Sequence, residues 1–136
     1  MKNNIQPKYN EDEARHLLHV YLFSLKCATI TKGALALKRC IMHSIFEDRD
    51  ISKDEYDTIK FKIAKRDMVS VYGVERLICG CLETSQNKLS VLTNMEILEM
   101  YGLPKNYASD PLKFINLSSK YIRSQLKKTN KIVELV

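Results

Sequence analysis

The chain has 136 residues, 45% hydrophobic and 28% charged, a balance that fits one globular domain with its own core and excludes a wholly disordered chain. Four Gly and three Pro are too few for the many turns of an all-β sandwich or barrel. The net charge of +6 is uneven: residues 1–103 carry 15 Lys/Arg against 14 Asp/Glu, whereas residues 104–136 carry 7 against 2, so the positive excess gathers in the last quarter.

Residues 1–9 are polar, contain Pro7 and read as a loose arm. No apolar leader precedes the acidic run Glu11-Asp12-Glu13, so Cys27, Cys40, Cys79 and Cys81 are expected as reduced thiols of a cytoplasmic protein. Asn10 and Glu13 have capping-box spacing, and the helix they open runs to about Thr29. It is apolar on nearly every side (Leu17, Leu18, Val20, Tyr21, Leu22, Phe23, Leu25), which predicts a central, surrounded helix. His19 and Lys26 keep its apolar run far short of the ~18–20 residues of a membrane span.

Thr31 caps a second helix from about Lys32 to Glu47, with Leu37, Cys40, Ile41, Ser44 and Ile45 on one face. The short link makes the first two helices an expected antiparallel hairpin. Ser52 and Glu55 form a second capping box, opening a segment with Tyr56, Ile59 and Ile63 on one face. Helix is favoured there, although period-two alternation over Ile59–Ile63 leaves a small β-hairpin near residues 58–72 as the alternative. Val74, Leu77, Ile78, Cys81 and Leu82 mark an amphipathic helix over Val74–Thr84, followed by a loop at Ser85-Gln86-Asn87. Thr93 to Glu96 is a third capping box, opening a short helix that Gly102 ends. Asp110 and Pro111 start the last helix, whose buried stripe is Leu112, Ile115, Ser119, Ile122 and Leu126. The fold class expected is all-α, an irregular bundle of five to six helices in a single domain over residues 1–136.

Three constellations bear on function. On the last helix (residues 111–131), Lys113, Lys120, Lys127 and Lys131 fall within about 40° of one another, flanked by Arg123 and Lys128. Such a face suits phosphates, with Lys105, Asn106 or Tyr107 placed to reach bases, or an acidic protein. Asn94 to Leu103 resembles the first helix and turn of a helix-turn-helix unit, a generic pattern that breaks where Pro104–Asp110 delays the next helix. His16 with His19, and Cys40 with His43, are i, i+3 pairs on the two hairpin helices, and together could ligate Zn²⁺; histidines hydrogen-bonded across the hairpin are the plainer account. Cys79 and Cys81 lie about 200° apart on a helix and so do not form a dithiol with each other.

No phosphate-binding glycine loop, G-x-S-x-G or H-E-x-x-H motif is present, and a non-enzymatic role is expected. The leading expectation is a small nucleic-acid-binding regulator, of DNA in particular. The alternatives are an adaptor or inhibitor of the phage, viral or pathogen-encoded kind, with a dimer as a further form, and a zinc-binding helical domain.

Overall fold

The computed structural model describes residues 9–27, 30–91 and 95–135, the side chains of 91, 95 and 130–135 excepted. Side-chain caps set the helix starts. Asn10 accepts from the Glu13 amide at the head of α1 (Glu11–Ser24), and Thr31 from the Ala34 amide at the head of α2 (Lys32–Glu47). Ser52 and Glu55 complete a reciprocal capping box on α3 (Lys53–Asp67). Ser70 Oγ accepts from Gly73 N at the head of α4 (Val71–Val91), and Asp110 Oδ1 from Lys113 N at the head of α6 (Pro111–Leu135). Between them lie α5 (Met95–Tyr101), closed by Gly102 at φ +70°, and a 3-10 turn at Tyr107–Ser109. The N-cap expected at Thr93, and residues 1–8 of the arm, lie outside the described residues.

Three expectations change. The helix at the centre is α2, which packs against α1, α3, α4 and α6; α1 leaves Val20 and Phe23 in solvent, the latter 66% exposed. An apolar circumference therefore did not make α1 the hub, because small residues decide how closely neighbours approach, and α2 carries Gly33, Ala34 and Ala36 on its buried side. The segment 58–67 is helical and no strand occurs among the described residues; the alternation over Ile59–Ile63 arises because Phe61 points to solvent while Lys60 turns inward. Finally, α4 continues through Ser85-Gln86-Asn87, which had read as loop. Ser85 is fully buried there: its hydroxyl donates to the Leu25 carbonyl and meets the Tyr107 hydroxyl. A polar residue thus becomes a core residue by capping the end of α1.

Gly33 lets α2 come close to the backbone of α4. A Cβ at that position would run into the Leu77 carbonyl of α4 and sit 3.1 Å from the Cys81 Cβ. On the other side of α2, α6 is held by polar contacts as well as by Ile115, Ile122 and Leu126. Asn116 Oδ1 accepts from Ile51 N while its Nδ2 donates to Ile51 O. Tyr21 and Ser118 share a buried hydrogen bond, and Tyr21, Tyr101 and Tyr121 form an aromatic cluster with centroids 4.4–5.8 Å apart.

Between α3 and α4 lies a half-buried ion pair. Lys60 Nζ, only 9% exposed in its side chain, donates to Glu75 Oε1 at 2.8 Å and sits over the Tyr56 ring. Tyr56 donates to the same carboxylate, as does the Cys79 thiol. Burial alone would raise the Glu75 carboxyl, but hydrogen bonds from Lys60, Tyr56 and Cys79 hold it below its ordinary value.

Gly33→Ala is expected to lower stability by about 1–3 kcal/mol, since backbone rather than a flexible side chain blocks the added methyl; urea denaturation measures it. Glu75→Gln leaves Lys60 with Asp57 at 3.4 Å as its remaining acid partner. It should cost about 2 kcal/mol, less than a fully buried pair would, and the double replacement of Lys60 and Glu75 by Met should recover part of that loss in the same assay.

Candidate functional site

The basic face of α6 is divided by its neighbours. Arg123, with 13% of its side chain exposed, reaches Asp50 at 3.2 Å and Asp48 at 3.9 Å, and its Nε bonds Ser119. Lys127 lies 3.8 Å from the same Asp48, which also accepts from the Tyr9 hydroxyl. Tyr9 is buried rather than part of a loose arm, and burial together with Asp48 pushes its phenol up to about 12. These two cations therefore fasten α6 to the α2–α3 link. Lys113, Lys120 and Lys128 are exposed and have no carboxylate partner among the described residues. Lys131 lies outside the described side chains. Lys105 and Asn106 are exposed, whereas Tyr107 is 2% exposed and bonded to Ser85, so its ring is a core element and is not available to a base.

No helix-turn-helix geometry follows α5. The 3-10 turn at Tyr107–Ser109 packs on α4 and α6, and α6 begins with Phe114 and Ile115 buried in the core.

The histidine and cysteine quartet is not drawn together. His16 and His19 are exposed on α1, and Cys40 is fully buried in the core. His43 faces Glu55 at 3.5 Å. Among the described residues no three His, Cys, Asp or Glu side chains are grouped to hold a metal ion. The reason is that Cys40 points into the core side of α2 while the α1 histidines point to solvent, so the i, i+3 spacings match but the faces do not.

The cations that do converge come from elsewhere. Lys26 follows α1 in the left-handed conformation, and Lys32 opens α2; both line a depression of about 370 Å³ with Arg76 and Lys88 of α4. Its remaining lining is Thr31, Gly33, Leu77, Gly80, Cys81 and Thr84, with no carboxylate. The charge of Glu83, exposed on α4, is felt at Arg76. One turn before Arg76, Tyr72 is 69% exposed, with Arg76 donating to its hydroxyl and lying 5.8 Å from its ring centroid. A second depression of about 300 Å³ adjoins the last turns of α4, lined by Gln86, Asn87, Leu89, Ser90, Leu98, Lys105 and Tyr107.

The signal for this site was in the sequence. Arg76, Gly80, Thr84 and Lys88 recur every four residues over about 18 Å of continuous helix, turning by about 40° at each step, with Tyr72 one turn before Arg76. Ending the helix at Thr84 removed Lys88 from the series and hid it.

Two thiols from distant parts of the chain meet at this depression. The Cys27 thiol, and with it the Thr31 hydroxyl, beside the Cys81 sulfur outweigh burial and lower Cys81 to about 7. Cys27 is itself pushed far up by the same contact and by burial, so it keeps the proton. Cys79, on the opposite face, is pushed up to about 11 by burial and by its bond to Glu75. All four cysteines are thiols, and no helix among the described residues is long and apolar enough to cross a membrane. Comparisons with protein-family models, curated proteins and solved structures find no match.

Only the thiolate is alkylated, so a lowered thiol gains reactivity as pH rises through its own value and levels off above it. Iodoacetamide labelling of Cys81 should thus rise roughly tenfold between pH 6 and pH 8 and then flatten, while Cys40 and Cys79 remain nearly unlabelled. Peptide mapping by mass spectrometry checks the order.

Proposed function

We propose that the protein is a non-enzymatic nucleic-acid-binding protein that grips phosphates at the depression formed by Lys26, Lys32, Arg76 and Lys88. The observation carrying this reading is the lining itself: four cations from three parts of the chain and no carboxylate. A polyanion threading it displaces condensed counterions from its own backbone, the usual source of nucleic-acid affinity.

Tyr72 gives the reading its preference for single strands. An exposed ring with a guanidinium beside it is a stacking platform for an unpaired base, and stacking contributes about 1–3 kcal/mol per base. Asn87 and Lys105 line a second depression beside the last turns of α4 and add polar and positive groups there. Lys113, Lys120 and Lys128 add exposed positive charge, while Arg123 and Lys127 are engaged in holding α6 to Asp48 and Asp50. A regulator acting by occupancy of DNA or RNA fits this arrangement.

An acidic protein segment is the second reading, favoured by apolar side chains on the rim: Leu77 lines the depression at 41% exposure and Tyr72 stands beside it. Nucleic acid is preferred because Tyr72 holds an exposed ring beside Arg76, on which a base can stack.

Fluorescence anisotropy with single-stranded and duplex oligonucleotides over a salt series tests the proposal. Single strands should bind more tightly, with a log–log salt slope near −3, about 0.7 for each of four phosphates. Arg76→Gln with Lys88→Gln should flatten that slope by ~1.4, whereas Lys127→Gln leaves it unchanged. Tyr72→Ala should weaken single-strand binding by roughly 5- to 150-fold. A salt-independent or absent signal at low salt refutes the proposal, and tight binding of poly-glutamate in its place selects the acidic partner.

A further inference from the structure

We propose that Cys81 and Cys27 are a reactive and a resolving thiol, forming a site that takes up a small anionic disulfide and converts to a Cys27–Cys81 disulfide bond. The inference goes beyond nucleic-acid binding; it shares with that reading only the cations of the depression.

The placement has three parts. Cys81 lines the open depression and is half-buried, so a small reagent reaches its sulfur. Cys27 lies behind it, 4% exposed: Leu25, two residues before it, is bonded to Ser85 one turn beyond Cys81, and Lys26 lines the same depression as Cys81, so the chain brings the Cys27 thiol beside that sulfur and away from solvent. The chain around Cys27 is fixed against α4: its amide donates to Leu22 O, and Leu25 O accepts from Ser85, one helical turn beyond Cys81. A pair held this way has one sulfur to be attacked from outside and one to complete the exchange.

Cations around the depression choose the reagent. Lys26, Lys32, Arg76 and Lys88 favour a disulfide that carries carboxylates, of which glutathione disulfide is the ordinary cellular example. In the first step the Cys81 thiolate attacks one sulfur of the reagent, RSSR; a bond forms between Cys81 and RS, the S–S bond breaks, and RS⁻ leaves. In the second, Cys27 gives up its proton to an outgoing thiolate and attacks the Cys81 sulfur, releasing the second RS group. Two protein thiols are oxidised, one RSSR is reduced, and two RSH are formed. The product closes the chain between residues 27 and 81 and locks the α1–α2 link onto α4.

The test treats the reduced full-length protein with glutathione disulfide under native conditions, followed by non-reducing peptide mapping. The expected product is a single link between the Cys27 and Cys81 peptides. Cys27→Ser should stop the reaction at a glutathione adduct on Cys81, and Cys81→Ser should abolish both products. The Arg76→Gln/Lys88→Gln variant should slow the reaction with glutathione disulfide roughly tenfold while leaving that with cationic cystamine no slower. Adducts spread over Cys40 and Cys79, or absence of the 27–81 link in the wild-type chain, overturn the pair; equal rates with the two reagents overturn the anionic preference. Because the map uses no nucleic acid, failure of oligonucleotide binding leaves this result intact, and the reverse holds too. The wild-type map also does not depend on how either serine variant folds.

Discussion

The close approach of α2 to α4 at Gly33 is the constraint on which the rest of the molecule depends. Without a side chain there, the first turn of α2 rests on the backbone of α4 at Leu77. That contact makes α2 the hub against which α1, α3, α4 and α6 pack. It also brings Thr31, which caps α2, and Cys81 of α4 to one depression. The same approach sets Lys32 opposite Arg76 and Lys88 and leaves between them the depression that carries the functional reading.

Positive charge in this protein serves two purposes that composition does not separate. Arg123 and Lys127 are partners of Asp48 and Asp50, groups at the end of α2 and in the link beyond it, and they hold α6 where Asn116 bonds Ile51. Arg49 likewise joins Glu55, whose carboxyl is held far below the usual range by that guanidinium and by the Ser52 amide. These are exposed or partly exposed pairs, each contributing little alone, but they converge on one short link. The cations of the depression have no such acids, and their mutual repulsion is an electrostatic cost that an anion would relieve.

Polar groups inside the bundle are all paired among the described residues: no buried side-chain nitrogen or oxygen lacks a hydrogen-bond partner. Ser85 ties α1 to α4 and to Tyr107, Ser118 ties α6 to Tyr21, and Lys60 ties α3 to Glu75. An unpaired member would cost more than the pair contributes, so each fixes which helix faces which. Apolar packing alone would leave those choices looser.

The sequence by itself determined the helices and most of their starts, because caps are local chemistry: Asn10, Thr31, Ser52 and Asp110 each bond an amide three residues on. It also carried the four-residue spacing from Arg76 to Lys88 on α4, legible once the helix is continuous. What the sequence did not carry was any pairing between distant residues. Ser85 read as loop because its partners, Leu25 and Tyr107, are remote in the chain. The α6 cations read as one free face because Asp48 and Asp50 approach them only in the folded state, and the His16, His19, Cys40, His43 spacing hid that the side chains point to different sides. Cys27 and Cys81 meet for the same reason that the depression exists: Gly33 lets two helices come close enough. Local hydrogen bonds are written in neighbouring residues, whereas charge neutralisation and thiol pairing depend on which surfaces the core brings together.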